Sequence, residues 1–378
     1  MPLAALGPAL SCNPDLRILA KMSSIDQLRH EIDALDDQIV KLLNARAQAA
    51  IEIGRLKTES GAGVYSPERE CSVLEHIAAR SEGPLTKDAL QAIYRELMSA
   101  SFALERPTRV GYLGPAGSFS HETALEKFGA SVTYEPLSNA RGIFDAIARG
   151  HVDYGVVPVE NNTTGGVVLD TLEALLEINV QICCEIQRAI HQNLLANGAL
   201  GDIDVVYSKS EAFKQCENWL AERGLAGKLV EAPSTSKAAE MASQTPRAAA
   251  VAGALAAKTY GLQVLAANIE DNPKNATRFF VIGKEPAKPT GSDRTGLLFV
   301  TAHEPGALVS VLLAFQRHGV SLTTITSRRK VGTSAEFVFF VELDGHQTDS
   351  ILQRSFADAK QYCRNLRVLG SYPRAPVV

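Results

Sequence analysis

Four cations stand where this chain builds its helix seams. Apolar residues recur at Ile25, Leu28, Ile32, Leu35, Ile39 and Leu42, and the stripe runs on through Arg46, Ala49, Ile53 and Leu56 in alternating steps of three and four. Such heptad spacing specifies a long helix packed against another, and a guanidinium on the packing seam needs an anion, because an unpaired buried charge is costly. Arg29, Lys57 and Arg69 lie on or beside the same seams. A later stripe, Leu90, Tyr94, Leu97, Ser101 and Leu104, is again interrupted by a polar group, with Glu105 one turn beyond Ser101. Singly, each cation reads as a snorkelling surface residue; as a set they suit a small anionic ligand. Arg29 and Arg46 are seventeen residues apart in the chain. On one helix that is roughly 25 Å, too far to grip one small molecule. Two copies of the helix packed antiparallel would bring Arg29 of one near Arg46 and Lys57 of the other, so the seam predicts a site shared between two chains.

Further candidates fall at strand ends and loop-to-helix junctions. The loop 115–120, with Ser118 in it, leads from a strand at 109–114 into a helix, a junction that attracts anions. Glu160 and Asn161 end a strand that begins at Tyr154, and 162–166 opens the next helix. Strand 204–208 ends at Ser208, ahead of a helix carrying Gln215.

The elements that must position these residues divide the chain. Residues 1–23 read as a flexible extension, and Ser24 with Gln27 three residues later forms a capping box. Residues 24–106 read as three helices: the first ended by Gly61, Ala62 and Gly63, the second opened by Ser66 and Pro67 with Arg69 and Glu70 in its first turn, the third opened by Thr86. From 108 to 285 strands alternate with helices, predicting an α/β domain of two lobes about a cleft, with a late strand at 277–283 returning to the first lobe. From 294 to 378 the order is strand, helix, strand, strand, helix, strand, a ferredoxin-like α+β unit.

Composition sets outer limits. With 378 residues, 46% of them apolar, the chain is large enough for several cores. A formal charge of -4 supplies no basic field for nucleic acid, and no apolar run approaches the length of a membrane span. The six cysteines contain no CxxC pair, which fits a reducing cytoplasm better than a disulfide framework.

The set Arg29, Arg46, Gly54, Lys57, Arg69, Glu70, Ser101 and Glu105 resembles the all-helical chorismate mutases, which work as entwined dimers. That resemblance implies conversion of chorismate to prephenate, with Arg29 and Arg46 on carboxylates, Lys57 donating to the breaking ether oxygen, and Arg69, Glu70 and Ser101 arranging the rest. A dianion folded into its reactive conformer needs such cations, and needs a donor where negative charge develops. Ser66 stands where that family often has aspartate, and Glu105 where it commonly has a donating glutamine.

Segments 111–120, 156–162, 207–208 with Gln215 and Cys216, and Thr277, Arg278 and Phe279 resemble prephenate dehydratase, with a fold like the two-lobed periplasmic binding proteins. The resemblance implies loss of water and carbon dioxide from prephenate to give phenylpyruvate. By that resemblance Thr277 is the key hydroxyl and Asn161, Ser208, Gln215, Arg278, Phe279 and Ser118 are candidate substrate contacts, while a protonated Glu160 in a dry cleft is the candidate proton source. Lys209 and Ser210 replace the family's His-Pro. The final unit resembles the ACT regulatory domain. Gly306, Ala307, Leu308 and Val309 match its ligand turn, implying phenylalanine as effector, while Thr326, Ser327, Arg328 and Arg329 replace Glu-Ser-Arg-Pro, so Ser327 and Arg328 are the altered half of the effector site. The resemblances imply neither metal nor cofactor.

The leading reading is a bifunctional enzyme. Its rivals are a dehydratase with an impaired mutase and a non-catalytic amino-acid-responsive binding protein, against which the complete set Thr277, Arg46 and Lys57 argues. An ionised carboxylate cannot donate a hydrogen bond, so Glu105 must be protonated for full mutase activity. We therefore expect the mutase rate to climb between about pH 8 and about pH 6, and Glu105→Gln to flatten that profile. Initial rates of chorismate loss measure it; a variant with the parent's profile would contradict the assignment.

Overall fold

The structure, a computed structural model, describes residues 14–61, 63–162, 166–329 and 336–375. Helix α1 (Pro14–Ser60) is a single rod ending where Gly61 takes φ +70°. It starts before Ser24, so no capping box operates there, and residues 14–23 continue the rod where a flexible extension was expected; the rest of that extension, 1–13, lies outside the described residues. Ile25, Leu28, Ile32, Leu35, Ile39 and Leu42 are 45% to 70% exposed, so the first half of the predicted seam is uncovered within one chain.

The second half of α1 packs against α2 (Pro67–Arg80) and α3 (Lys87–Glu105). Gly54 permits the closest approach: a Cβ there would meet the Glu105 Cα at 2.6 Å. Thr86 caps α3 by accepting from the Ala89 N–H at 3.2 Å, whereas Ser66, in the N-cap position of α2, spends its hydroxyl on Glu68.

The first lobe of the α/β part contains β1 (Arg109–Leu113), β2 (Thr133–Leu137), β3 (Tyr154–Asn161), β4 (Gly166–Val167) and β5 (Gln181–Ala189). The second contains β6 (Asn193–Ala196), β7 (Val205–Ser208), β8 (Leu229–Glu231), β9 (Ala248–Ala252) and β10 (Gln263–Ala266). β11 (Ala276–Gly283) then returns to the first lobe, as the sequence predicts. The sheets run β2-β1-β3-β11-β5, with β4 on β3, and β10-β6-β9-β7-β8. Two crossings, between β5 and β6 and between β10 and β11, therefore join the lobes. The helix expected to open at 162–166 begins instead at Leu169, after β4.

The C-terminal unit contributes β12 (Asp293–Ala302), β13 (Leu322–Arg329), β14 (Glu336–Asp344) and β15 (Asn365–Pro373), with helices Ala307–Arg317 and Ser350–Ala359. This is the predicted β-α-β-β-α-β order, folded as an antiparallel sheet β13-β14-β12-β15. One face of it shares a core with the first lobe, where Phe280 and Ile282 meet Leu298, Val300, Phe340 and Tyr372.

That apolar contact surrounds a buried ionic cluster. Arg278 donates through Nη1 and Nη2 to the two oxygens of Glu342 at 2.6 and 2.8 Å, and through Nη1 to Glu185 at 3.2 Å. Tyr372 donates to Glu342 at 2.5 Å, and Arg294 to Glu185 at 3.0 Å. Burial pushes the Glu342 carboxyl up, but Arg278 and Tyr372 outweigh it and hold the group below the usual 4.5. Its stabilisation is thus complete above pH 4.5 and lost as the pH falls below it. Removing one partner of a buried pair leaves the other charge uncompensated, so Glu342→Ala should cost about 3–5 kcal/mol of stability. Urea unfolding near neutral pH tests this; a midpoint equal to the parent's would refute it.

Candidate active sites

Three helices enclose a cavity of about 420 Å³ lined by Arg46, Lys57, Ser66, Arg69, Glu70, Ser101 and Glu105 among others. All the mutase residues expected from the sequence are gathered there except Arg29, which is exposed and paired with Asp26 at 3.2 Å. Arg46 Nη1 donates to Ser101 Oγ at 2.5 Å, and that hydroxyl donates in turn to the Leu97 carbonyl at 2.8 Å. Lys57 Nζ donates to the Val64 carbonyl at 2.7 Å and forms a salt bridge to Glu105 at 2.8 Å.

The second constellation lies where the lobes join. Asn161 Nδ2 donates to Thr277 Oγ1 at 2.9 Å and to Asn275 Oδ1 at 3.0 Å. Asn275 donates to Gln215 Oε1 at 3.2 Å, which also accepts from Gln192 at 3.1 Å. Because Thr277 accepts from Asn161, its own hydroxyl proton is left to donate to a ligand oxygen. Gln215, with its carbonyl oxygen doubly occupied, likewise has its amide N–H groups for a ligand.

Several sequence expectations for this site need correction. Glu160 is register-paired with Arg278, and Asn161 with Thr277. Successive strand residues face opposite sides, so Glu160 lies on the Arg278 side, 3.3 Å from that guanidinium, and away from Thr277. It is not positioned as the proton source for the Thr277 site. Arg278 is engaged by Glu342 and Glu185 and so braces the strand. Phe279 is 1% exposed and belongs to the core between β1, β3 and β11. Ser208 is fully buried and donates to the Val251 carbonyl at 2.6 Å. Ser118 caps helix α4 (Phe119–Phe128), accepting from the His121 N–H and donating to the Leu113 carbonyl at 2.7 Å. These hydroxyls hold the backbone of the site instead of facing a ligand.

Asn275 and Gln192 escaped the sequence reading. Asn275 directly precedes β11 and is 1% exposed, a burial that the sequence does not reveal; nothing in the sequence marks Gln192 either. Glu185 and Glu342, carboxylates each flanked by apolar neighbours in a strand, were the available signal for a buried cation.

In the C-terminal unit Gly306, at φ +86°, precedes the helix that opens with Ala307, Leu308 and Val309. Alternation on β13 separates Ser327 from Arg328, and Arg328 is directed to Glu173 of the first lobe at 3.5 Å rather than to the Gly306 turn. Among the described residues no helix is long and apolar enough to cross a membrane.

A helical anion cavity joined to a two-lobed α/β unit with a threonine and amides at its hinge defines a two-site enzyme. Its segments match family models: chorismate mutase type II at 28–106 and prephenate dehydratase at 110–287. The chain is 43% identical to the bifunctional chorismate mutase/prephenate dehydratase of Aquifex aeolicus, covering 94% of this chain and 99% of that protein. It is 39% identical to the one of Stutzerimonas stutzeri, over 94% and 100%. The crystal structure of prephenate dehydratase from Arthrobacter aurescens in complex with L-Phe is similar at 31% identity and a TM-score of 0.65, over 72% of this chain and 92% of that one. The chain belongs to the bifunctional chorismate mutase/prephenate dehydratase family, and it converts chorismate to prephenate and prephenate to phenylpyruvate.

The dehydratase geometry puts Thr277 and Glu160, one register step apart on the paired strands β11 and β3, on opposite faces of the sheet. Thr277→Val, which removes the donor, should lower the rate on prephenate on the order of 100-fold to 1000-fold. Glu160→Gln should stay within about threefold of the parent, since it lies on the opposite face of the strand. Steady-state phenylpyruvate formation measures both, and a Glu160→Gln loss as large as that of Thr277→Val would overturn the placement.

Proposed function

We propose that the enzyme acts as a homodimer in which each mutase site is completed by Arg29 of the second copy. The uncovered heptad seam of α1 carries this reading: it leaves a row of large apolar side chains in water and Arg29 outside the cavity. A second α1 packed antiparallel covers that row and delivers the missing cation. In the completed site Arg29 and Arg46 hold the carboxylates of chorismate, Arg69, Glu70, Ser101 and Ser66 fix the rest of the molecule, and Lys57 with protonated Glu105 donates to the ether oxygen as its bond breaks. Catalysis is then selection of a reactive conformer plus stabilisation of developing charge.

In the dehydratase, Thr277 donates to the departing hydroxyl while Asn161 and Gln215 orient prephenate. Aromatisation supplies the driving force, so the residues mainly assist the leaving oxygen while the ring carboxylate fragments. The C-terminal unit is an ACT-type regulatory domain. Phenylalanine is its effector, a reading supported by the L-Phe named in the Arthrobacter aurescens complex, and the turn at Gly306 to Val309 is its ligand element. Arg328, engaged by Glu173, is lost to that site unless the pair opens. A reducing cytoplasm suits the free Cys71, Cys183, Cys184, Cys216 and Cys363.

Subunit complementation tests the shared site. Arg29→Ala and Arg46→Ala should each abolish most mutase activity alone, and random mixed dimers should recover about a quarter of the native sites, because one of the two sites in each heterodimer is intact. Chorismate loss after co-expression reads this; no recovery, with mixed dimers demonstrated, would place both arginines in one chain's site.

A further inference from the structure

Glu70 lines the mutase cavity, but its counter-charge comes from outside the helical unit. Lys127, in the last turn of α4 in the first dehydratase lobe, lies 2.7 Å through Nζ from Glu70 Oε2. The Tyr65 hydroxyl donates to the same oxygen at 3.0 Å, and the ammonium sits 5.7 Å from the centre of the Tyr65 ring. The two charged side chains are 19% and 12% exposed, so water screens them little. Burial alone would lower Lys127, yet Cys184 and Glu70 reverse this and keep it above lysine's ordinary value. With two donors on Oε2, the acceptor capacity of Glu70 for a ligand hydroxyl is left on Oε1.

The helix that supplies the ammonium is itself fixed to the mutase unit. Gly129 ends α4 at φ +70°, and a Cβ there would meet the Ser99 Cβ at 2.6 Å. Ala130 N donates to Glu96 and Ser131 N to Ser99 Oγ, both at 2.9 Å. Thus α4 is docked on α3, which carries Ser101 and Glu105.

We propose that Lys127 is a positioning residue of the mutase site, a dehydratase-domain lysine that orients the Glu70 carboxylate and offsets its charge so that it can stand beside a dianionic substrate. Without the ammonium, Glu70 would add an uncompensated negative charge to a cavity that must admit two more. The mutase of this chain therefore depends on the domain to which it is fused. This inference rests on the reading of Glu70 as a substrate contact.

A double-mutant cycle on the full chain tests it, with chorismate as the mutase substrate and prephenate as the substrate reporting the fold of the domain that carries Lys127. Lys127→Met should raise the mutase KM about fivefold to tenfold with a smaller change in kcat, and Lys127→Arg should restore most of it. In a Glu70→Gln background the same Lys127→Met change should alter KM by less than about twofold, the signature of coupling between the two groups. A parental KM in Lys127→Met beside an impaired Glu70→Gln overturns the proposal, as does an effect undiminished in the Glu70→Gln background. A parental KM in Glu70→Gln overturns the reading of Glu70 instead. If Lys127→Met also loses dehydratase activity, the double variant decides: a folded protein with the KM of Glu70→Gln alone supports the role, and a further rise in KM refutes it.

Discussion

Charge buried between packed units has to be neutralised by whatever the neighbouring unit offers, and this constraint organises the whole chain. Arg278 is its clearest instance. The guanidinium leaves β11 on the face that meets the C-terminal sheet, where Glu342 grips it with both oxygens and Glu185 adds a third contact. Burial would penalise each group alone, and the bidentate geometry with the Tyr372 hydroxyl repays that cost. The residue before Arg278 is Thr277, so the strand that anchors the two units together also carries the hydroxyl proposed for the dehydratase step.

The same rule recurs at the other junction. Tyr65 from the helical unit is enclosed by Phe102, Phe128 and Tyr154, and beside this aromatic contact Glu70 and Lys127 face each other across the domain boundary. Apolar contact lies beside ion pairs at both seams, and the ion pairs fix orientation, because carboxylate and cation tolerate few geometries. Lys57 and Glu105 follow the pattern inside the mutase cavity. There the pair joins the end of α1 to the end of α3.

At the dehydratase hinge, neutral amides take over. Asn161, Asn275, Gln215 and Gln192 form a connected row from β3 to the second lobe, and each amide fixes its neighbour. Gln215 belongs to the second lobe and Thr277 to the first, so the row spans the two bodies between which a ligand would be closed.

The sequence by itself marked most of the elements and, Arg29 apart, the polar residues that line the helical cavity. Heptad spacing, Pro67 and Thr86 at helix starts and glycines at helix ends are local signals, and Arg46, Lys57, Ser101 and Glu105 recur at helical intervals that bring them to one side. It also marked Thr277 and Asn161. Only the tertiary structure decided which polar side chains are spent on the scaffold. Ser208, Ser118 and Phe279 stand in motifs that suggest substrate contact, yet a carbonyl, a helix end and a core claim them, since backbone groups buried by folding must be satisfied first. Strand register decided between Glu160 and Thr277, because a one-residue step along a strand reverses the face, and register is set by partners far away in the chain. The partners of Arg278 and Glu70 lie 64 and 57 residues distant, at Glu342 and Lys127. No local pattern encodes such pairs; they follow from which surfaces the folded units press together.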